Sequence, residues 1–431
     1  MGDSRDFIAD FHIHSYLSRA TSQRMRLGPL EAQAQIKGIT VIGTGDYTHP
    51  AWYSHLQERL EPAEAGLYKL RSDLDADEPQ EPVPDSCKGD VRFILSCEIS
   101  NIYKRGGRTR KVHNLVFMPD LEAVARFNEE LGKVGNIRSD GRPILGLDSE
   151  DLLRMALQAS PKAFLIPAHV WTPHFSVFGA ASAFTCLEEC YGDLTHTIKA
   201  VETGLSSDPP MNWRLSALDD LTLISNSDAH SPEKLGREAN LFSTELSYEG
   251  IYNAIATREG FLGTIEFFPE EGKYHLDGHR ACDCRLTPKE TRKADFRCPD
   301  CGRKVTVGVL HRVEELADRK EGEKPPNALP FESQIPLVEI LSEIVGVGPK
   351  SKKVARIYNR LVAEVGGEFK ALRETPIDVL SELGGELLGE AIRRVRSGTV
   401  DINAGFDGQF GIVRVFSDED RKKWNPQGKL F

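Results

Sequence analysis

The sequence predicts an α/β protein with a parallel sheet over its first 270 or so residues, followed by a small cysteine-containing module and a helical C-terminal region. Three observations predict it. Short apolar runs alternate with amphipathic stretches up to about residue 270, four of the eight cysteines lie between Cys282 and Cys301, and residues 335–397 have the periodicity of amphipathic helices. At 431 residues the chain exceeds one compact core, so we expect two or three domains.

Composition excludes several classes of protein. Apolar residues make up 40% and charged residues 28% of the chain, which excludes a mainly disordered protein. The formal net charge is −11, so any nucleic acid binding must come from local basic patches. The start of the sequence has no basic stretch leading into an apolar run, and no stretch approaches ~18 apolar residues. We therefore expect neither secretion nor membrane insertion, and the few, clustered cysteines predict a reducing, cytoplasmic location.

Seven segments are predicted strands. They are 7–14, 40–47, 92–99, 113–118, 164–170, 199–203 and 222–228. Most are continuous apolar runs, as expected of strands that are buried on both faces. Helical patterns such as 148–159 and 247–257 lie between them, and the segment 71–90, rich in Asp, Glu and Pro, is a predicted exposed loop.

Side chains suited to metal binding stand at the ends of these predicted strands. They are His12, His14, Asp46, His49, Glu98, His113, His169, Asp228 and His230. In an α/β barrel the carboxyl ends of different strands meet at one face, so we expect these groups to converge there. Imidazoles and carboxylates are the ligands expected for divalent ions such as Zn²⁺, Mn²⁺ or Fe²⁺. A single histidine at a strand end is more often structural, but this many together favour a metal centre.

The motifs that carry these residues resemble those of a known superfamily. FHIHS, GTGDYTH, CEIS, HNLVF, IPAHVW and SNSDAH look like the successive motifs of the PHP (polymerase and histidinol phosphatase) superfamily. The resemblance covers roughly residues 5–265. It implies a distorted seven-stranded (β/α)7 barrel that holds a di- or trinuclear centre.

The resemblance also implies how the ligands are shared. One ion would be held by His12, His14, Glu98 and Asp228; Glu98 would bridge to a second ion held by His113 and His169; and His230, with Asp46 or His49, would serve a third. This sequence departs from the usual pattern because Tyr47 and Thr48 separate Asp46 from His49. A further histidine that usually follows the first motif is also absent from the region of Arg19.

Two or three divalent ions (Zn, Mn, Mg or Fe) in such a centre support phosphoester hydrolysis, because they activate water and neutralise charge on the leaving oxygen. The catalytic residues implied are Asp228, His230, Glu98, Asp46 and Arg19. Arg19, or Arg237 instead, would bind a phosphate oxygen, unless these arginines only form surface salt bridges.

The cysteine cluster predicts a structural zinc site. Cys298-x-x-Cys301 is half of a zinc ribbon or knuckle, and its spacing lets both thiolates face one ion. His279 and Cys282 are the favoured other half, with Cys284 as the substitute for His279. A redox Cys-x-x-Cys is the alternative, although no thioredoxin-like pattern surrounds it.

The segment GVGPKSKKV at 346–354 lies between two amphipathic helices and looks like a helix-hairpin-helix. The backbone N–H groups of such a turn and of the following helix can bind a DNA phosphate. The residues predicted to contact DNA are Gly346, Gly348, Lys350, Ser351, Lys352 and Lys353. A plain helix turn is the alternative. The spacing is not that of a P-loop, so we expect no nucleotide cofactor.

The whole chain resembles the endonuclease Q family, with KYHLDGHRAC, CPDCGRKVTVGVLHRVEELADR and FDGQFG carrying the match beyond the barrel. The resemblance implies a DNA repair endonuclease that cuts on the 5′ side of a deaminated base (hypoxanthine, uracil or xanthine) or an abasic site. It implies DNA as the partner and a nucleoid-associated location, with a sliding clamp as a candidate second partner. The change in composition near residue 270 and the polar stretch at 320–330 predict three domains. They are 1–272, the metal-dependent barrel; 273–322, the zinc module; and 323–431, the helical DNA-binding domain with a C-terminal β-hairpin.

An enzyme that selects a damaged base must test it outside the stack, in a pocket. Candidates for such a pocket are Trp171, Phe175, Asp208 and Trp213, although each aromatic is more often a core residue. Two other functions remain open. A small-molecule phosphatase of the histidinol-phosphate type would use the same centre but has no need of a zinc module or a DNA-binding turn, and a non-catalytic DNA-binding protein would be expected to lose ligands.

Overall fold

The computed structural model describes residues 4–72 and 81–424. Part of the predicted acidic loop 71–90 lies outside the described residues. The structure confirms the mixed α/β class and the helical C-terminal region. Among the described helices, none combines the length and the apolar character needed to cross a membrane.

The N-terminal part of the chain alternates strands and helices, as the apolar runs predict. Its strands in chain order are β1 (Ser4–Asp10), β2 (Val41–Gly43), β3 (Leu60–Pro62), β4 (Leu67–Leu70), β5 (Arg92–Ile94), β6 (Ser96–Arg105), β7 (Arg108–Phe117), β8 (Ile144–Leu145), β9 (Phe164–Pro167), β10 (Ala200–Glu202), β11 (Thr222–Ile224), β12 (Ala239–Glu245) and β13 (Phe261–Glu266). Its helices are α1 (Leu27–Lys37), α2 (Pro50–Arg59), α3 (Leu121–Val134), α4 (Ser149–Ala159), α5 (Glu188–Tyr191), α6 (Pro209–Asn212) and α7 (Tyr248–Thr257). Each of the seven predicted segments contains strand residues.

The rest of the chain has short strands, and a larger share of its residues lies in helices than in the N-terminal part. Its strands are β14 (Asp277–His279), β15 (Cys284–Leu286), β16 (Phe331–Ser333), β17 (Asp401–Asn403) and β18 (Ile412–Arg414). Its helices are α8 (Pro288–Lys293), α9 (Val309–Leu316), α10 (Leu337–Val345), α11 (Lys352–Val365), α12 (Ile377–Gly384), α13 (Glu386–Arg396) and α14 (Asp418–Trp424). β17 and β18 pair antiparallel around the glycine-rich turn.

The described strands form several sheets. The largest has eight strands in the order β16-β13-β12-β1-β2-β5-β4-β3, with β1, β2 and β5 parallel at its centre. β8-β6-β7-β9 form a second sheet, and β10 and β11 pair in parallel. Because β1, β2 and β5 run in one direction, their carboxyl ends lie at the same edge. The candidate site lies there.

The antiparallel strands β12 and β13 were not predicted. β12 packs Phe242 on Phe7 of β1 with 5.2 Å between ring centroids, while alternate side chains of β12 are only partly buried. Continuous apolar runs are typical of parallel strands buried on both faces, and β12 lacks such a run because some of its side chains are polar and partly exposed.

The C-terminal region is joined to the sheet directly. β16 pairs in parallel with β13, and the carbonyl of Pro330 accepts a hydrogen bond from the Thr264 amide. The helices α10 to α13 then enclose their own apolar core, which includes Ile340, Val362 and Ile392. The helical region is therefore anchored on the edge of the largest sheet.

Candidate metal centre

The first and last motifs meet through a single backbone bridge. Ile13 pairs in parallel with Ala229, and the amide of His14 donates to the Ala229 carbonyl at 3.2 Å. Residues two apart on an extended backbone point the same way, so His12 and His14 lie on one side of this bridge. Asp228 is brought to the same side, although it is far away in the sequence.

Four of the predicted ligands form a first group. Their ligand atoms all lie within 4.8 Å of one another, and the group is His12, His14, Glu98 and Asp228. Nε2 of His14 is 2.9 Å from Asp228 Oδ1 and 3.5 Å from Glu98 Oε2, and Nε2 of His12 is 3.5 Å from Glu98 Oε1. These distances leave the four groups facing a common point.

Glu98 also belongs to a second group, with His113 and His169. Its Oε1 is 2.5 Å from Nδ1 of His113 and 3.0 Å from Nε2 of His169. The two groups therefore share one carboxylate, in the arrangement that the superfamily resemblance implies.

Carboxylates behind the histidines orient two of the rings. Nδ1 of His12 donates to the Glu202 carboxylate at 3.0 Å, which directs Nε2 of His12 toward Glu98 and Asp228. That Nε2 is buried and has no hydrogen-bond partner among the described residues. A carboxylate–imidazole pair with its far nitrogen unpaired is typical of a metal ligand, so the site fits a cation. Glu202 was not among the predicted site residues, although it lies near the end of the predicted strand 199–203.

Asp46 plays the corresponding part for His14. Its Oδ1 is 3.2 Å from Nδ1 of His14, while its Oδ2 accepts from the Ser15 amide at 2.6 Å and from the Ser18 hydroxyl at 2.8 Å. Asp46 thus lies behind the first group and does not join either group of ligand atoms.

The backbone around these residues adopts a conformation that non-glycine residues rarely take. Asp46, His169 and Asp228 have φ angles of 47°, 31° and 47°. Such strain is concentrated at functional sites. Gly204 packs against His169, where a Cβ atom would lie 2.3 Å from that of His169, so only glycine fits there.

The electrostatics favour carboxylate anions in the centre. Burial raises the pKa of Glu98, but the charges of His113, Arg142 and His12 outweigh it and lower that pKa well below its usual value. For His12 the directions are reversed: burial lowers its pKa, but the carboxylates of Glu202 and Glu98 outweigh burial and raise it well above the ordinary value of a histidine. The buried carboxylates therefore attract positive charge, which a divalent ion would supply.

Two residues predicted for the site lie elsewhere. The ring of His49 caps the start of α2 by accepting a hydrogen bond from the Ala51 amide at 3.2 Å. Its other nitrogen donates to the Arg138 carbonyl at 3.0 Å. The side chain of Arg19 is 85% exposed, and its distance to the Asp140 carboxylate is 3.9 Å. Neither residue belongs to the two ligand groups in this structure.

His230 and an arginine absent from the predictions lie closer. The ring of His230 is 4.6 Å from that of His14 between centroids, and its Nδ1 is 3.6 Å from Asp228 Oδ1. Nη1 of Arg142 donates to Glu98 Oε2 at 2.8 Å. Arg142 lies in a loop without a recognisable motif, so no sequence signal pointed to it.

The residues predicted for a base pocket are mostly buried. Trp171 is enclosed and donates to Asn212 Oδ1, Trp213 is 8% exposed, and Asp208 caps α6 by accepting from the Met211 amide. Trp171 is therefore enclosed in the core, whereas Asp208 is partly exposed and Trp213 lines a separate small cavity with Asn212. Phe175 does lie at the centre, with its ring 4.7 Å from that of His113.

A cavity of about 400 Å³ opens beside the loop that follows His169. Its lining includes Thr172, Ser206, Arg237 and Phe410. Arg237 also donates from Nε to the carbonyl of Ser227, which precedes Asp228. The loops that carry His169 and Asp228 therefore border the cavity, although no residue of the two ligand groups lines it. The volume of the cavity is within the range of small-molecule sites, ~300–1,000 Å³.

The cysteine cluster forms a second candidate metal site. Ligand atoms of His279, Cys282, Cys298 and Cys301 lie within 4.8 Å of one another, while Cys284 is grouped with Cys298 and Asp300. Burial alone raises the pKa of Cys298, but backbone amides of Cys301 and Asp300 lower it to about 7, which favours the thiolate that binds metal.

The predicted DNA-binding turn is exposed between two packed helices. Gly346 ends α10 with φ of 71°, and the Ser351 side chain caps α11 by accepting from the Val354 amide. Residues 346–350 and Lys352 are exposed, while Ser351 and Lys353 are partly buried. The start of α11, a helix of 14 residues, therefore faces outward with lysines beside it.

Comparisons with known proteins match one segment of the helical region and, separately, nearly the whole chain. Residues 336–399 match the family model of the MJ0043 C-terminal domain. The chain is 31% identical to the novel lesion-specific endonuclease PfuEndoQ from Pyrococcus furiosus in its crystal structure, over 97% of this chain and 99% of that one, with a TM-score of 0.82. It is 32% identical to Endonuclease Q in a complex with a 27-mer duplex substrate bearing an abasic lesion at the active site, over 96% and 98%, with a TM-score of 0.80.

A curated relative shares part of the chain. It is the uncharacterized protein MJ0043 of Methanocaldococcus jannaschii, 33% identical over 251 residues. The match covers 56% of this chain and 31% of that protein, so the chain spans less than a third of the length of this relative.

Proposed function

Because the chain belongs to the endonuclease Q family, we propose that it is a DNA repair endonuclease that cuts on the 5′ side of a deaminated base or an abasic site. In this reaction water forms a bond to phosphorus, the P–O3′ bond breaks, and the leaving oxygen takes a proton. The products carry a 3′-hydroxyl and a 5′-phosphate. The observation that carries the proposal is the match over nearly the whole chain to lesion-specific endonucleases, together with two ligand groups that share Glu98.

The residues of the centre fit two divalent ions. One would be held by His12, His14, Glu98 and Asp228, and the other by Glu98, His113 and His169. When bound, such ions supply the charge that activates water and neutralises the departing oxygen. The chain itself orients the ligands: Glu202 fixes the ring of His12, and Asp46 fixes that of His14. His230 lies at the exposed edge, where it would serve a third ion or a substrate oxygen.

The N-terminal strands are proposed to form the distorted barrel of the PHP superfamily, within domain boundaries of 1–272, 273–322 and 323–431. The bridge between Ile13 and Ala229, which connects the end of the first strand with the last motif, supports this proposal.

The cavity beside His169 is proposed to receive the extruded base. Extrusion costs least when a base is mispaired or missing its partner, which would favour deaminated bases. Phe175, which is partly exposed and contacts the ring of His113, is proposed as a stacking residue beside the metal centre, although it does not line this cavity.

The helical region and the cysteine cluster are proposed to hold the DNA. The exposed turn at 346–351 presents backbone N–H groups and lysines to a phosphate, and a structural zinc ion would be held by His279, Cys282, Cys298 and Cys301. A small-molecule phosphatase would need neither feature.

A cleavage panel tests the proposal. End-labelled duplexes carrying one deoxyinosine, deoxyuridine, deoxyxanthosine or abasic site, and an undamaged duplex, are incubated with the protein and Zn²⁺, Mn²⁺ or Mg²⁺. We expect a single nick 5′ to the lesion, with an end that a polymerase extends, and no nick after chelation. Equal cutting of undamaged DNA would contradict lesion specificity, and phosphate release from small monoesters without nicking would favour the phosphatase.

A further inference from the structure

The candidate metal centre is accessible from one side. The residues on that side include one that was not among the predicted ligands. The side chains of His12, His14 and Glu98 are 0% exposed, whereas those of Asp228, His230 and Arg142 are 27%, 33% and 25% exposed. These last three therefore rim the accessible side of the cluster, and a phosphodiester that approaches it would meet them first.

The guanidinium of Arg142 has N–H donors at this rim that are not used in its hydrogen bond to Glu98. Its Nη1 donates to Glu98 Oε2 at 2.8 Å. In the part of the chain that the structure describes, Nε and Nη2 have no hydrogen-bond partner. A guanidinium has five N–H donors in a rigid fork that matches the oxygens of a phosphate. Arg142 can therefore keep its bond to Glu98 and still bind an anion.

The loop that carries Arg142 is held over the centre. The Gly141 amide donates to the Leu17 carbonyl at 3.1 Å, and the carbonyl of Pro143 accepts from the Ser100 amide of β6 at 3.0 Å. A Cβ atom on Gly141 would lie 2.2 Å from Asp46 Oδ2. Only glycine therefore allows the backbone to approach the Asp46 carboxylate this closely. Donors fixed in place before the reaction stabilise developing charge most effectively.

We propose that Arg142 is a catalytic residue that binds a non-bridging oxygen of the scissile phosphate and stabilises the charge that develops there during hydrolysis. The inference rests on the proposed nuclease function. It assigns to Arg142 the part that the sequence suggested for Arg19, whose side chain is 85% exposed.

Single-turnover nicking of a deoxyinosine duplex is the first test. Arg142→Ala should slow cleavage by about 100- to 1,000-fold, the cost of losing one fixed donor to a developing oxyanion. Arg142→Lys should recover little of this, because an ammonium cannot form two parallel hydrogen bonds. Arg138→Ala is the matched control, since Arg138 is exposed in the same loop and its side chain has no contact with the cluster; its rate should be unchanged.

A binding cycle provides a readout that does not depend on turnover. Affinity for the lesion duplex is compared with affinity for the same duplex carrying an uncharged methylphosphonate at the scissile position. The factor by which this replacement weakens binding should be about tenfold larger for the wild type than for Arg142→Ala. Metal content, measured by mass spectrometry, should be the same in both proteins.

Equal factors in the two proteins, or an unchanged nicking rate, would overturn the inference. Loss of metal from Arg142→Ala would also overturn it, because Arg142 would then act only by positioning Glu98. A wild-type protein that nicks no lesion would instead refute the proposed function, so the two failures are distinguishable.

Discussion

One carboxylate, Glu98, connects the two groups of candidate ligands, and its surroundings explain how it can. It lies in β6 with both oxygens buried, where burial alone would keep it protonated. Four histidines (His12, His14, His113 and His169) and Arg142 lie within 3.5 Å of its carboxylate. The electrostatic interactions with His113, Arg142 and His12 outweigh burial and hold the pKa of Glu98 well below its usual range. Glu98 is therefore an anion at neutral pH, and it can serve two cations at once.

Asp228→Asn tests the first ligand group. The amide keeps the size of the side chain but removes the charge that faces His14 at 2.9 Å. We expect single-turnover nicking to fall by more than ~100-fold, because even the loss of an outer-shell partner costs 10–100-fold. Binding to the lesion duplex should change by less than about threefold. Asp151→Asn, an exposed residue of α4, is the control; nicking by Asp228→Asn at the wild-type rate would contradict the assignment.

Glu202→Gln tests the orientation of His12. The carboxylate of Glu202 accepts from Nδ1 of His12 and also from the amide of His169. Weakening these bonds should reduce metal affinity by about 10- to 100-fold while the fold is kept. Competition with a chelator of known affinity measures the change, and Glu188→Gln, an exposed residue of α5, should have no effect. Unaltered affinity would show that Glu202 does not tune the site.

At the scale of elements, short strands and their connections decide where the site forms. β1 ends at Asp10, and the extended segment after it continues to the bridge between Ile13 and Ala229. The candidate metal ligands follow the strand ends and do not lie within a long regular strand, except for Glu98 and His113. The helix pair α10–α11 is built in a similar way, since the groups proposed to bind DNA lie in its exposed turn and not on its packed faces.

Replacing Lys350, Lys352 and Lys353 with glutamine tests the helix pair. Each lysine that neutralises a phosphate releases counterions, so binding should weaken and the slope of log K against log salt should become shallower by about 2 to 3. Three exposed lysines of the N-terminal half, Lys69, Lys133 and Lys162, give a control with the same change in charge. If the slope of the triple variant equals that of the control, the turn does not bind the DNA backbone.

At the scale of the whole molecule, the end of the chain returns to the cysteine cluster and secures it. Phe406 of the glycine-rich turn is fully buried and bridges to Leu276, just before β14. The Asp407 carboxylate accepts from the Arg280 amide at 2.7 Å and from the Thr306 hydroxyl at 2.6 Å. Phe410 of the same turn lines the cavity beside the metal centre. The cysteine cluster, the C-terminal turn and the cavity are thus in physical contact.

Cys298→Ser tests the cysteine cluster. Zinc binding at such a site contributes directly to folding, so we expect the loss of one zinc ion per chain and a lower melting temperature. Because the cluster is joined to the cavity lining, nicking should fall as well. Cys186→Ser, at a cysteine outside both metal groups, should keep the wild-type zinc content and melting temperature. A full zinc content in Cys298→Ser would contradict the site.

Much of the candidate centre could be predicted because its ligands are strong signals in the sequence. His12, His14, Glu98, His113, His169 and Asp228 stand at or near apolar runs, and the order of their motifs resembles that of one superfamily. The positions of His49, Arg19 and Trp171 could not be predicted, because each depends on local packing that a motif does not encode.

The sequence by itself determined the α/β class, the helical C-terminal region and the residue types able to bind metal, because apolar periodicity and ligand chemistry are local properties. Only the tertiary structure decided that Glu98 faces both histidine groups, that Glu202 stands behind His12, and that Arg142 reaches the open side. These relations join residues up to 190 positions apart. They depend on the direction of side chains after the sheets have packed, and no single stretch of sequence contains that information.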